Sequence, residues 1–203
     1  MTPTRPRYAR IRQLVDELLT ASGTRSAPVP VEKIAAHVGA EIVFRDFDEN
    51  VSGVLVRSDT APVIGVATNQ SAERQRFTIA HELGHHIQKL LGIEAREQRL
   101  VQQDPTERNH LSVDLELQAD CFAGVWAHST EQRGIVHPDD ITEALKAAAA
   151  VGDDHLQRMS GRAVSPESWT HGSSAQREQW FRKGLAGGTV ASCGTFDGAT
   201  TPP

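Results

Sequence analysis

Two histidines four residues apart, His81 and His85, with a glutamate directly after the first, lie within a stretch patterned as a helix buried along one face. From Ser71 onward, Phe77, Ala80, Gly84, Ile87 and Leu91 recur at helical spacing, and Leu83 and Leu90 widen the stripe. Side chains four apart on a helix stand one above the other. Both imidazoles can therefore reach one metal ion, and zinc is the ion such a pair suits. Glu82 points roughly 100° round the helix from His81, away from the ion itself but beside a water on it, where a general base belongs. Gly84 leaves room for another backbone or a substrate to come close.

A catalytic zinc takes a third protein ligand and keeps one position open. Glu116 is the candidate: it interrupts an otherwise apolar helix running from about 112 to 127, and Asp120 follows one turn later on the same face. Asp120 is expected to hold His81 or His85 by its other ring nitrogen, and the spacing leaves both options open. A His-Glu-x-x-His match alone can be plain surface chemistry. Its amphipathic setting and the second helix with Glu and Asp at i, i+4 favour a metal site. Of the other histidines, His171 in Trp-Thr-His-Gly, just before a helix start, is the candidate donor to the oxyanion of a tetrahedral intermediate. His37, His86, His110, His128, His137 and His155 read as surface, loop or supporting residues.

The surrounding pattern is α+β. Residues 8–21 and VEKIAAHV read as helices, the latter closed by Gly39. Three β-type runs follow at 41–47, 51–58 and 62–68, with Asp48-Glu49-Asn50 and Ser58–Ala61 as turns, which predicts an antiparallel meander. Gln102–Asn109 reads as a polar interruption. Pro138 opens a helix expected to reach Gln157, with Asp140 and Glu143 spaced as a capping box. Ser173 and Gln176 form a second such box before a helix over 174–185 that stops at Gly187-Gly188. This divides the chain into a core over 1–130, a helical extension over 131–190 and a flexible tail over 191–203.

A chain of 203 residues with 38% hydrophobic and 23% charged residues can bury a real core. Its net charge of -5 gives no basic footprint for nucleic acid. With no transmembrane-length apolar run and no secretory signal pattern, the expected location is the cytoplasm, without membrane attachment. Cys121 and Cys193 are then expected as thiols.

Two resemblances carry this reading further. Residues 8–87 resemble the ImmA/IrrE metallo-endopeptidases through SGVLVR, PVIGV and RQRFTIAHELGHH. Residues 85–197 resemble the neutral zinc metallopeptidases of the YpfJ type through HHIQKLLGI, LELQADCFAGVWA, DDITEALKAAAAVGDD and PESWTHGSSAQREQWFRKG. The join falls on the His-Glu-x-x-His helix that both share. Both imply a zincin-like fold, with a small antiparallel sheet on the His-Glu-x-x-His helix, a glutamate-ligand helix and extra C-terminal helices. Both imply His81, His85 and Glu116 as zinc ligands and Glu82 as base. The second family is an envelope family, so the resemblance leaves room for a Cys121–Cys193 disulfide.

The expected activity is zinc-dependent endopeptidase hydrolysis of a protein or peptide, the substrate lying along an edge strand at residues 62–68. The first resemblance implies a regulatory protease that cuts a helix-turn-helix repressor. The second implies a neutral peptidase of undefined substrate. A zinc-stabilised binding module without catalysis would keep the ligands but would not need Glu82.

Overall fold

The computed structural model describes residues 31–48, 51–56, 61–134, 136 and 138–196. The helix expected over 8–21 lies outside them. Helix α1 (Val31–His37) ends at Gly39, whose φ of 77° takes the left-handed turn that glycine allows. Strands β1 (Glu41–Arg45), β2 (Gly53–Val56) and β3 (Val63–Ala67) follow. Then come α2 (Ala72–Leu90), α3 (Ile93–Gln103), α4 (Arg108–Gln132), α5 (Pro138–Ala150), α6 (Asp153–Met159) and α7 (Ser174–Gly187).

The sheet is mixed, which corrects the expected antiparallel meander. Its order is β1-β3-β2, with β3 parallel to β1 and antiparallel to β2. At the end of β3, Thr68 N–H bonds the Arg45 carbonyl and Ala67 N–H the Ser52 carbonyl. Burial explains the order. β3 is the most apolar run, and Ile64, Val66 and Ala67 are fully buried, whereas β1 and β2 keep exposed positions that suit edges. Residues 62–68 are therefore central and cannot accept a peptide along an edge. The edge beside the later helices is β2.

Ile64 and Val66 pack with Val31, Ile34, Ala35 and Ile79, which seats α1 and α2 on the sheet. Ser71 caps α2 by accepting from Arg74 N–H at 3.3 Å. Leu90 is exposed and lies off the buried stripe. The supposed polar interruption at Gln102–Asn109 takes in the end of α3, a 3-10 turn at Pro105–Glu107 and the start of α4. The sequence pattern does not reveal α3 itself, because a helix with no fully buried face carries little apolar signal.

The α2–α4 and α4–α7 crossings are close. A Cβ on Gly84 would stand 3.0 Å from the Ala119 carbonyl oxygen, so the space left by Gly84 is taken by the backbone of α4. Gly124 and Gly184 face each other's helices, with Cβ positions 2.1 Å from the Phe181 and 2.0 Å from the Cys121 carbonyl oxygens.

The helix from Pro138 stops at Ala150 rather than continuing to Gln157. Gly152 abuts the start of α7, its Cβ position 2.3 Å from Ser174 N, and Ser174 Oγ donates to the Ala149 carbonyl at 2.7 Å. That tertiary contact ends α5 and turns the chain into α6. Asp140 lies inside α5 and not before it, and its carboxylate meets Arg76 at 3.3 Å. The Ser173–Gln176 capping box forms as expected, and Gly188 closes α7 at φ 58°.

Cys121 and Cys193 form a disulfide across 72 residues, with Cα atoms 5.6 Å apart, where thiols were expected. Both cysteines are buried and meet where the 3-10 turn Val190–Cys193 lies on α4. Of the stretch read as a flexible tail, residues 191–196 are described, and Cys193 and Thr195 in it are buried.

Gly184→Val should lower stability by about 1–3 kcal/mol or more, since the added carbons meet backbone and not a movable side chain. Urea unfolding monitored by circular dichroism would register this as a lower midpoint at unchanged slope.

Candidate metal centre and cleft

His81 and His85 project from α2 toward Glu116 on α4. His81 Nε2 lies 3.1 Å from Glu116 Oε2 and 3.1 Å from His85 Nε2, and His85 Nε2 lies 3.3 Å from Glu116 Oε1. Among the described residues these three form the group able to hold a metal ion.

The other ring nitrogens are already committed. His81 Nδ1 is 2.9 Å from Asp120 Oδ1, which decides which histidine Asp120 holds. His85 Nδ1 is 2.8 Å from Gln88 Oε1. Both partners are acceptors, so each Nδ1 carries a hydrogen, and each ring in its neutral form presents an Nε2 lone pair inward. With the rings neutral, two lone pairs and a carboxylate converge on one point, an arrangement that a metal cation would complete in place of a proton shared between His81 and Glu116. Ligand atoms on a tetrahedral zinc with bonds of about 2.0–2.1 Å lie about 3.3 Å apart, so this set fits that ion.

Behind the cage, Arg177 from α7 donates through Nε to Asp120 Oδ2 at 2.8 Å and through Nη2 to Asp120 Oδ1 at 2.9 Å. Both side chains are buried. Arg177 Nη2 also stands 3.8 Å from Glu116 Oε2. Burial alone would raise the Asp120 carboxyl, but Arg177 and His81 outweigh it and hold the group below its usual range. Glu116 is likewise held well below the usual carboxylate range, because His85 and His81 outweigh its burial. Without a metal, burial works against charge on His81, yet Asp120 and Glu116 prevail and push it up to about 10. Glu82 behaves oppositely: burial raises its carboxyl, with only partial opposition from His81 and His85.

The centre opens into a cleft of about 580 Å³. Its walls include residues 51–55 leading into and along β2, Glu82, and His171 before α7. A Cβ placed on Gly53 would stand 3.7 Å from Glu82 Oε1, so β2 runs directly past this carboxylate. His171 is half-exposed at the rim, with Nδ1 3.2 Å from Asp153 Oδ1. Asp153 Oδ2 also accepts the backbone N–H groups of Thr170, His171 and Gly172 at 2.8, 2.6 and 3.0 Å. The bond to Asp153 raises the His171 pKa against partial burial. His110 pairs with Glu107 on the surface, and His128 Nδ1 meets the Leu185 carbonyl, so neither joins the cage.

The structure thus gathers every candidate site residue into one region and adds Gln88, Asp153 and Arg177. Two of these carried a signal in the sequence. Gln88 continues the row His81, His85 at i+7. Arg177 shares a face with Trp180, Phe181 and Gly184, all buried, and an arginine on a buried face implies a buried carboxylate.

Residues 66–196 match the family described as "Putative neutral zinc metallopeptidase". That span contains the cage and its supports. The uncharacterized protein YpfJ of Escherichia coli K12 is 56% identical over 124 residues, covering 60% of this chain and 43% of that protein. The uncharacterized proteins Mb2605 of Mycobacterium bovis and Rv2575 of Mycobacterium tuberculosis are 37% identical over 214 residues, covering 97% of this chain and 66% of theirs. The chain therefore spans only part of the length of these relatives. The mycobacterial alignments run through residues 8–87 as well, so one set of relatives covers both sides of the join. No solved structure matches.

A His81 pKa raised from 6.5 to about 10 means that the metal-free fold holds a proton the unfolded chain releases near 6.5. That stabilisation is fully present below about pH 6.5 and is lost as pH rises toward 10. Thermal melts of metal-free protein should fall across this window, and zinc, by displacing the proton, should flatten the dependence.

Proposed function

Because this chain belongs to the neutral zinc metallopeptidase family, we propose that it is a zinc-dependent endopeptidase in which His81, His85 and Glu116 hold the metal and Glu82 moves the proton. The carrying observation is the convergence of three lone-pair donors at 3.1–3.3 Å beside a buried glutamate in an open cleft. Bound zinc supplies Lewis acidity, polarising the scissile carbonyl and acidifying a water.

Glu82 takes the proton of the attacking water and delivers it to the leaving amine. Burial raises its pKa, which suits a group that must keep a proton between two steps. His171 donates to the oxyanion from the rim; its bond to Asp153 favours the protonated ring and restricts its orientation. Asp120, itself held by Arg177, keeps His81 in the ligating tautomer. The peptide lies extended along the outer edge of β2, which faces the cleft and is unpaired among the described residues. This replaces residues 62–68 as the substrate-binding strand.

A non-catalytic zinc module has no use for a glutamate buried at the mouth of the cage, so Glu82 favours hydrolysis. A regulatory role on a helix-turn-helix repressor rests on the resemblance of residues 8–87 alone. The disulfide favours an oxidising compartment over the cytoplasm expected from the sequence. No helix among the described residues is long and apolar enough to cross a membrane.

Glu82→Gln should retain one zinc per chain while cleavage of a quenched fluorescent peptide library falls by about 100-fold or more. Cleavage at the wild-type rate by a zinc-loaded Glu82→Gln chain would show the mechanism to be wrong. His171→Ala should lower kcat by about 100-fold with zinc content unchanged, and an unchanged kcat would remove His171 from the site.

A further inference from the structure

Gln88 is fully buried on α2, on the face that carries His81 and His85. Its oxygen and both hydrogens of its amide nitrogen are engaged. Oε1 faces His85 Nδ1 at 2.8 Å, and Nε2 donates to the Leu115 carbonyl at 2.7 Å and to Gln118 Oε1 at 3.2 Å. Gln118, also buried, donates through Nε2 to the Cys193 carbonyl at 2.8 Å. Cys193 is the residue joined to Cys121.

The direction of these bonds is dictated from the far end. A carbonyl only accepts, so Gln118 turns its NH2 to Cys193 and its oxygen to Gln88. Gln88 must then turn its NH2 to Gln118 and Leu115, and its oxygen to His85. His85 Nδ1 therefore carries a hydrogen, and in the neutral ring the Nε2 lone pair faces His81 and Glu116.

We propose that Gln88 and Gln118 form an amide relay that positions His85, and that the Cys121–Cys193 disulfide anchors it, so that zinc retention is coupled to the state of the disulfide. This rests on the reading of His85 as a zinc ligand. His81 is braced by a carboxylate that an arginine holds in place, whereas His85 is braced by neutral amides that no ion pair holds. The outer fixed point of the relay is a backbone carbonyl in the turn Val190–Cys193, which the disulfide ties to α4.

Reduction by a dithiol passes two electrons and two protons to the S–S bond. It yields two cysteine thiols and leaves the reductant as its own disulfide. The Cys193 carbonyl is then free to move, Gln118 loses its fixed acceptor, and Gln88 is oriented by Leu115 alone. Loss of the disulfide should therefore weaken zinc binding less than loss of Gln88.

Zinc affinity of the full chain, measured by competition with a chromophoric chelator, tests this. Gln88→Leu should weaken binding about 10–100-fold, and Gln88→Glu, which keeps an acceptor opposite His85, should recover part of the loss. Gln118→Leu and the double variant Cys121→Ser, Cys193→Ser should each weaken it by about 3–10-fold, below the full loss of a supporting partner. Nitrogen chemical shifts of His85 should report the Nδ1–H tautomer in the wild type and a mixture in Gln88→Leu, a change that mere loss of stability does not produce. Wild-type affinity in Gln88→Leu overturns the proposal. Wild-type affinity in the double variant, with only its melting temperature lowered, overturns the coupling to the disulfide. If His85→Ala binds zinc as tightly as the wild type, the ligand assignment has failed instead.

Discussion

A carboxylate with no exposure to water dictates much of this molecule. Asp120 is fully buried in α4, and a buried charge is tolerated only when its lone pairs are met. Arg177 meets them with two N–H groups from α7, and His81 takes what remains. To bring Arg177 that close, α7 must lie almost backbone to backbone on α4, which Gly124 and Gly184 permit. Such a pair adds little net stability once desolvation is counted. Its return is orientation, because the ring whose Nδ1 faces Asp120 has its Nε2 aimed into the cage.

The two histidines proposed as ligands are braced by different chemistry. A second buried carboxylate behind His85 would add negative charge to a region already holding Glu116 and Asp120 against one arginine. Gln88 instead offers an acceptor with no charge to compensate, at the cost of needing every amide bond in the relay to be satisfied. The disulfide that anchors the relay also closes a 72-residue loop, which restricts the unfolded chain by about 4 kcal/mol in the chain-entropy account. One covalent link thus acts on the stability of the α4–α7 unit and on the geometry of a ring two residues removed along the relay.

Sequence patterns expose chemistry that repeats along one helix and hide what depends on distant strands or turns. His81, Glu82 and His85 are legible because their spacing alone sets their directions. Glu116 and Asp120 are legible because carboxylates break an apolar helix. Arg177 breaks the face of Trp180 and Phe181 in the same way, so it was open to the same reasoning. The strand order was not: alternation tells which face a residue takes, not which strand lies beside it. The apolar run at 62–68 marks a central strand only once both its neighbours are known. The end of α5 is set by Ser174 pressing on Gly152, and the disulfide joins residues 72 apart. Neither leaves a local trace.

These contacts bear on how the chain is divided. A boundary near residue 130 would place His81, Glu82, His85 and Glu116 on one side and Arg177, Asp153 and His171 on the other. Yet Asp120 cannot stay buried and charged without Arg177, and His81 cannot keep its tautomer without Asp120. The turn at Gly152 that ends α5 is also what delivers Asp153 to the loop carrying His171 at the cleft rim. The C-terminal helices back the His81–His85–Glu116 group and wall the cleft in front, so the proposed metal centre draws on both halves of the chain.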